Sequence, residues 1–430
     1  MILYKAPRGT HDILGADVVF INFLERYARE VFIKHGFEEI RTPIFENADL
    51  FIRAIGEITD IVEKEMYIFT DKKGRTLSLR PEGTASIVRA FIEHRQDIMK
   101  SISKFFYIGE MFRYEKPQAG RYRQFHQIGV EYFGNENPTA DAELILLAKN
   151  ILSYIGIHNI NININSLGCK TCRPFFKKKL IQYFHTVKNN LCSDCIKRLY
   201  KNPFRVLDCK IDSNKFLGSP KLINYLCDHC KIHFDTLQRL LKSVKCKYYI
   251  NNQLVRGIDY YTKTIFEIYA KDETTGLQNV IAAGGRYDNL VSELSYNKYN
   301  IPAVGFAFGV ERILILAKTI GILHNKTLVP PEKIFIAVTD KILFKNAFSC
   351  YATLSQMICQ NNPKIVLFPP IISNNLNDQL RFANKMGITK TIIFAQREYD
   401  NKQIIIKNMR TRSQTKIFID DISQILINSI

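Results

Sequence analysis

The chain has 430 residues, 46% of them hydrophobic and 23% charged, with ten cysteines, no tryptophan and a formal net charge of +19. That length supports two or three domains with cores of their own, and the composition is that of a soluble globular protein. No stretch approaches the ~18 uncharged apolar residues of a membrane span, and MILYKAPRGTHDILG has no apolar leader region, so a membrane protein is excluded and a cytoplasmic one expected. In that compartment the cysteines are expected as reduced thiols or metal ligands.

The positive charge is localised. Residues 168–247 hold 18 Lys and Arg against 5 Asp and Glu, and residues 333–430 hold 13 against 6, while the rest is close to neutral. Basic segments flanking a neutral body suit a body that does chemistry and outlying parts that grip a polyanion. General lysine drift on the surface is the bland alternative.

In chain order, Phe20, Phe23, Leu24, Tyr27, Val31 and Phe32 fall at helical spacing within 17–35, with Gly36 as a stop. EEIRTPIFE follows as a short strand in which Pro43 favours an edge or a bulge. Residues 67–81 are expected as a hairpin turning at 71–74. PEGTASIVRAFIEH then opens a helix at Pro81, Glu82 and Thr84, where acidic and hydroxyl side chains commonly serve as caps.

Residues 104–134, KFFYIGEMFRYEKPQAGRYRQFHQIGVEYFG, are expected as two strands joined by a basic loop. Strand side chains alternate faces, so Arg113, Glu115, Arg121, Arg123, Phe125, Gln127 and Glu131 would share one face, too charged for a core. Phe106, Ile108, Phe112, Ile128, Val130 and Tyr132 would share the packed face. Three arginines, two carboxylates and an aromatic ring suit a flat anionic ligand such as a nucleotide; a solvated sheet face is the alternative.

A helix over 138–156 and a period-2 strand, NINININS, come next. The basic segment 168–247 holds Cys169-x-x-Cys172, Cys192-x-x-Cys195, Cys209, Cys227-x-x-Cys230 and Cys246. Three C-x-x-C pairs point to one structural Zn²⁺, or two, drawn from Cys169, Cys172, Cys192, Cys195, Cys209, Cys227 and Cys230. The alternative is a set of reduced, partly buried thiols. LVRGIDYYTKTIFEIYA, 254–270, is expected as a strand with Arg256, Tyr260 and Tyr261 at its start. In AAGGRYDNL, Gly284 and Gly285 would let backbone approach a ligand, with Tyr287 lining the same pocket. AVGFAFGVERILIL, 303–316, is a strand breaking into a helix at Gly309, which carries Arg312. Pro330 and Pro331 mark a linker over 326–332. From Lys333 on, short apolar strands alternate with helical stretches, indicating an independent α/β domain.

Several of these stretches resemble one family. MFRYEKPQAGRYRQFHQIGVE is similar to motif 2 of class II aminoacyl-tRNA synthetases in its histidyl form. The helix and proline-bearing strand resemble motif 1, and AVGFAFGVERILIL resembles motif 3. LVRGIDYY and AAGGRYDNL are similar to two motifs confined to histidyl-tRNA synthetases. The resemblance covers essentially the whole chain and implies an α+β fold: a class II catalytic domain from 1–167 and 248–325, an antiparallel sheet flanked by helices. It also implies an inserted helical domain at 168–247 and a C-terminal α/β anticodon-binding domain at 333–430. The cysteines are not part of it.

The implied reaction joins L-histidine to tRNA(His) through a histidyl-adenylate made from ATP, with Mg²⁺ on ATP's outer phosphates, in a homodimer formed through motif 1. By the same resemblance Arg113 and Arg256 would be the catalytic pair, holding the α-phosphate and touching the bound histidine, and Arg121 and Arg312 would take the γ-phosphate. Glu115 would take the adenine amino group, with Phe125 stacked on the ring. Glu82, Thr84 and Gln127 would surround the histidine ammonium, while Glu131, Tyr260, Tyr261 and Tyr287 complete the amino-acid site around the imidazole. Lys116, Gln118 and Arg123 would read the tRNA acceptor end; Lys116 stands where many relatives have arginine and lacks bidentate geometry. Two other readings compete: a regulatory paralogue supporting histidine biosynthesis, which generally lacks the C-terminal domain and the motif 2 arginines, and a zinc-dependent RNA-binding protein with no catalytic role.

Overall fold

The computed structural model describes residues 4–94, 102–207, 209, 211–216, 218–271, 278–322, 332–361, 365–371 and 375–422. The chain forms two compact units, Met1–Asn325 and Lys326–Ile430.

In the first unit, α1 (Ala16–Lys34) turns Phe20, Leu24, Ala28 and Phe32 inward at helical spacing. EEIRTPIFE is not one strand but two, β1 (Glu38–Glu39) and β2 (Phe45–Asn47), which join different sheets. Pro43 lies between them and, lacking an N–H, cannot carry a ladder onward. After α2 (Ala48–Ile55), the expected hairpin forms as β3 (Ile68–Thr70) and β4 (Thr76–Leu79), which with β2 make a small sheet in the order β2-β4-β3. Then come α3 (Thr84–His94), β5 (Ser103–Phe112), β6 (Gln124–Phe133), α4 (Pro138–Tyr154) and β7 (Ile160–Ser166). Asn137 caps α4 by accepting from the Thr139 N–H, with Pro138 at the first helical position.

The cysteine-rich segment is helical, with α5 (Cys172–Thr186), α6 (Ser193–Lys201) and α7 (Asp228–Ser243). The chain returns through β8 (Tyr249–Ile250), β9 (Thr262–Lys271), β10 (Gln278–Arg286), α8 (Leu290–Leu294), β11 (Ala303–Gly309) and α9 (Val310–Thr319). Among the described residues the large sheet has eight strands, ordered β1-β5-β6-β11-β10-β9-β7-β8. It is antiparallel throughout except at its two edges, β1 on β5 and β8 on β7.

Three local expectations change. The motif 2 strands stop at Phe112 and resume at Gln124, so Arg113, Glu115, Arg121 and Arg123 stand on the connecting loop, where Gly120 takes a φ of +72°. The odd-numbered face is not uniformly charged either, because Phe105, Tyr107, Met111 and Phe133 are buried on it. The 254–270 strand begins only at Thr262, leaving Arg256, Tyr260 and Tyr261 on the preceding loop. One hydrophobic core runs from Phe51, Phe91, Phe105 and Tyr107 of the sheet and its helices into Phe176, Leu180, Phe184 and Leu199 of the cysteine-rich segment.

The second unit contains β12 (Glu332–Val338), α10 (Phe344–Asn361), β13 (Ile365–Phe368), α11 (Leu376–Lys385), β14 (Lys390–Phe394), α12 (Gln396–Asp400), β15 (Gln403–Asn408) and β16 (Gln414–Phe418). Its strand order is β13-β12-β14-β15-β16, parallel through β14 and antiparallel beyond. The closing hairpin strand β16 was not anticipated. The expected linker, 326–332, lies outside the described residues except for Glu332, which starts β12. No described helix is long and apolar enough to cross a membrane.

Candidate active site

A cavity of about 630 Å³ opens on the β6, β10 and β11 face of the large sheet. Its lining includes residues from widely separated stretches, among them Glu82 and Thr84, the loop after β5, the first half of β6, the loop before β9, β10 and the β11–α9 junction. These stretches converge because β6, β11, β10 and β9 are consecutive neighbours in the sheet.

At the deep end, the Glu82 carboxylate accepts the backbone N–H groups of Thr84 (2.8 Å) and Ala85 (2.7 Å), so Glu82 caps α3 while lining the cavity. The Thr84 hydroxyl is turned elsewhere and donates to Glu131 over 2.6 Å. The Tyr287 hydroxyl donates to the other Glu131 oxygen, and Tyr260 donates to Glu82 over 3.3 Å. Glu131 is 1% exposed and sits just behind the lining. Burial, only partly offset by the Thr84 and Tyr287 hydroxyls, pushes its carboxyl up to about 8; burial likewise raises Glu82. Gln127 lines the cavity, and its Oε1 is buried without a hydrogen-bond partner. Such an acceptor is costly to bury unless a donor reaches it.

Two close approaches shape this end. A Cβ on either Gly83 or Gly129 would lie 2.5 Å from the Tyr107 ring, so the two glycines form the slot holding it. A Cβ on Gly305 would overlap Glu131 Oε2 and stand 2.6 Å from the Val130 carbonyl. Gly284 and Gly285, by contrast, do not line the cavity: they lie inside β10, where a side chain would strike the backbone of β11 or β9. They serve strand packing, not backbone approach to a ligand.

The outer end is cationic. The Arg113 guanidinium lies 5.4 Å from the centre of the Phe125 ring and donates to the Pro81 carbonyl over 2.8 Å. Glu115 stands 3.7 Å from both Arg113 and Arg121. Arg312 donates to the Val280 and Gly120 carbonyls at 2.8 and 3.3 Å. Burial first, then repulsion from Arg121, holds Arg312 below the usual guanidinium range, the signature of positive charge not neutralised in place. Arg256 pairs with Glu267, which also receives the Tyr269 hydroxyl, and Arg256 Nε is buried without a partner. Arg113, Arg121, Arg256 and Arg312, with Arg205 as a fifth guanidinium in the lining, make the cavity an anion site.

The cavity lining thus includes Glu82, Thr84, Arg113, Glu115, Gln118, Arg121, Phe125, Gln127, Arg256, Tyr260, Tyr261, Tyr287 and Arg312. Lys116 and Arg123 are not in it. Arg123 is drawn away, its guanidinium 3.7 Å over the Tyr114 ring and bonded to the Arg8 carbonyl over 3.3 Å. Four residues escaped the sequence reading: Tyr107, Arg205, Glu267 and Asp212. Glu267 left a signal, a carboxylate in the middle of the apolar run TIFEIYA.

Outside the cavity, the cysteines form two clusters. Cys169, Cys172, Cys227 and Cys230 bring their sulfurs within 4.8 Å of one another, and Cys192, Cys195, Cys209 and Asp212 bring their ligand atoms equally close. Either group could hold a metal ion. Cys246 belongs to neither.

Comparison with known proteins agrees with this geometry. A family model described as Histidyl-tRNA synthetase matches residues 9–169 and 207–313. A histidine–tRNA ligase of Endomicrobium trichonymphae is 54% identical over 418 residues, 97% of this chain and 99% of the relative. One of Aquifex aeolicus is 44% identical over 420 residues, with 97% and 99% covered. The solved structure of apo S. aureus histidyl-tRNA synthetase superposes with a TM-score of 0.80 at 32% identity, covering 98% of this chain and 99% of that one. On the breadth and identity of these matches, the chain belongs to the histidyl-tRNA synthetase family.

Proposed function

We propose that the chain activates L-histidine with ATP and transfers the histidyl group to the 3′ end of tRNA(His). The observation that carries this is the joining, at one cavity, of a buried carboxyl bonded to hydroxyls just behind the wall and an anion site lined by arginines.

In the first step a histidine carboxylate oxygen attacks the α-phosphorus of ATP, the bond to the bridging oxygen breaks, and pyrophosphate leaves. Charge grows on the α-phosphoryl oxygens, so fixed cations aimed there lower the barrier. We assign Arg113 and Arg256 to them, and Arg121 and Arg312 to the γ-phosphate. Phe125, with Arg113 beside it, offers the adenine a stacking surface, and Glu115 an acceptor for its amino group. Mg²⁺ enters with ATP as part of the substrate.

For histidine, the unpartnered Oε1 of Gln127, with Glu82 and Thr84 beside it, is an acceptor set for an ammonium. Glu131, Tyr261 and Tyr287 face the imidazole, Tyr260 closing the side next to Glu82. A pocket of buried polar groups rejects apolar isosteres, because those groups would be left unpaired. In the second step a terminal ribose hydroxyl attacks the adenylate's carbonyl carbon and AMP leaves. Lys116 and Gln118 stay assigned to the acceptor end; Arg123, tied to Tyr114 and Arg8, is assigned there only if that segment moves.

We also assign Zn²⁺ to Cys169, Cys172, Cys227 and Cys230. Cys169 Sγ lies 3.7 Å from that of Cys172 and 3.8 Å from that of Cys227, close to the ~3.8 Å edge of a tetrahedron with Zn–S bonds of about 2.3 Å. Its role there is structural. The basic C-terminal unit is assigned to anticodon binding, a cytoplasmic location follows from the family assignment, and a homodimer is supported by exposed Ile44, Phe45, Ile68 and Phe69 around the small sheet. Histidine-dependent ATP–pyrophosphate exchange is the test. Exchange only with histidine is expected; a pure, folded protein that exchanges with no amino acid, or equally with several, sinks the proposal.

A further inference from the structure

We propose that Cys192, Cys195, Cys209 and Asp212 form a second zinc site, and that its occupancy positions the wall of the catalytic cavity. Cys195, Cys209 and Asp212 are buried, and Cys192 Sγ lies 3.8 Å from Cys209 Sγ, again a tetrahedral edge and far beyond a disulfide bond. Asp212 is wholly buried, and it is held as ligating carboxylates usually are. Its oxygens accept from the Cys192 N–H and from Lys215, each at 2.8 Å. Three sulfurs and one carboxylate oxygen fill the four positions of a structural site, leaving no open one for catalysis.

The ligands pin both ends of the segment that runs from α6 to Leu207, whose middle reaches the catalytic chain. Asn202 donates to Asp259 at 3.2 Å, and Arg205 donates to the Gly257 carbonyl and lines the cavity. Arg198, on α6, donates to Asp60 over 3.0 Å. Gly257 and Asp259 lie between Arg256 and the pair Tyr260–Tyr261, so the metal fastens the loop that carries three residues assigned to substrate. Asn202 and Arg205 are positioning residues here.

The site rests on the geometry of its four ligands; its catalytic consequence rests on the activity proposed above, and the two are measured separately. Whole protein is purified under reducing conditions and its zinc counted by elemental analysis. Two zinc ions per chain are expected in the wild type, and one each in Asp212→Ala, Cys209→Ser and Cys230→Ser. Asp212→Cys keeps two, and in cobalt-loaded protein it strengthens the thiolate charge-transfer band. Pyrophosphate exchange should fall about tenfold in Asp212→Ala and return in Asp212→Cys. One zinc in the wild type, lost only in Cys230→Ser, overturns the second site and spares the first; none overturns both. A folded Asp212→Ala that keeps two zinc ions overturns ligation by Asp212. One that has lost a zinc ion but exchanges at the wild-type rate overturns the coupling to the cavity.

Discussion

Glu131→Gln isolates the electrostatics of the histidine end of the cavity. Glutamine keeps the shape and an acceptor for the Thr84 hydroxyl but cannot ionise. With its carboxyl raised from 4.5 to about 8, chiefly by burial, ionising Glu131 in the folded chain costs about 5 kcal/mol more than in the unfolded one, at about 1.4 kcal/mol per pH unit. The sign follows from proton uptake: the folded state binds this proton more tightly, so its contribution is complete below pH 4.5 and is lost as pH rises to about 8. Wild-type stability measured against Glu131→Gln should therefore decline by about 1.4 kcal/mol per unit from pH 5 to 8 and level off above. Unfolding of both proteins at half-unit pH steps gives the difference. A difference that stays constant from pH 5 to 8 shows that Glu131 is already ionised, and the neutral-pocket account fails. The same variant should discriminate less sharply between histidine and its isosteres in pyrophosphate exchange.

Arg256→Ala should cut exchange by about two to three orders of magnitude while calorimetry still detects histidine binding, because the guanidinium acts where charge develops. Unchanged exchange removes it from the chemistry. Gly305→Ala should cost about 1–3 kcal/mol and raise the KM for histidine, since the new methyl overlaps Glu131 and presses on the Val130 carbonyl; a wild-type KM would show that Glu131 has room to retreat. Asp141→Ala should lower stability by about 1.5–3 kcal/mol, because the fully buried Arg286 that ties the end of β10 to α4 loses its doubly hydrogen-bonded carboxylate and keeps only Asp288 as an anionic partner. Thermal unfolding tests it, and a loss below ~1 kcal/mol would mean that water reaches the site.

Patterns that repeat locally were legible in the sequence. NINININS became β7 over the residues its alternation marks, and AVGFAFGVERILIL broke from strand to helix at Gly309. Features decided by one backbone group or by distant partners were not. Pro43 split one expected strand into two, and the Gly257 loop delayed β9 to Thr262. Arg123 looked free in sequence because Tyr114 and Arg8 claim it only after folding. Asp212 was not legible as a ligand, although Cys209-x-x-Asp212 repeats the spacing of the C-x-x-C pairs, because a lone carboxylate at that spacing is common on solvated surfaces and only the fold buries this one among thiols.

The continuity of hydrophobic packing between the catalytic sheet and the cysteine-rich helices has an engineering consequence. Residues 168–247 are not a detachable module: cutting them out would remove Phe176, Leu180 and Leu199 from the core they share with Phe91, Phe105 and Tyr107 and leave a wet, aggregation-prone scar beneath the amino-acid pocket. A chimera that grafts this segment from a relative must carry the matching apolar footprint with it, whatever it preserves of the thiols.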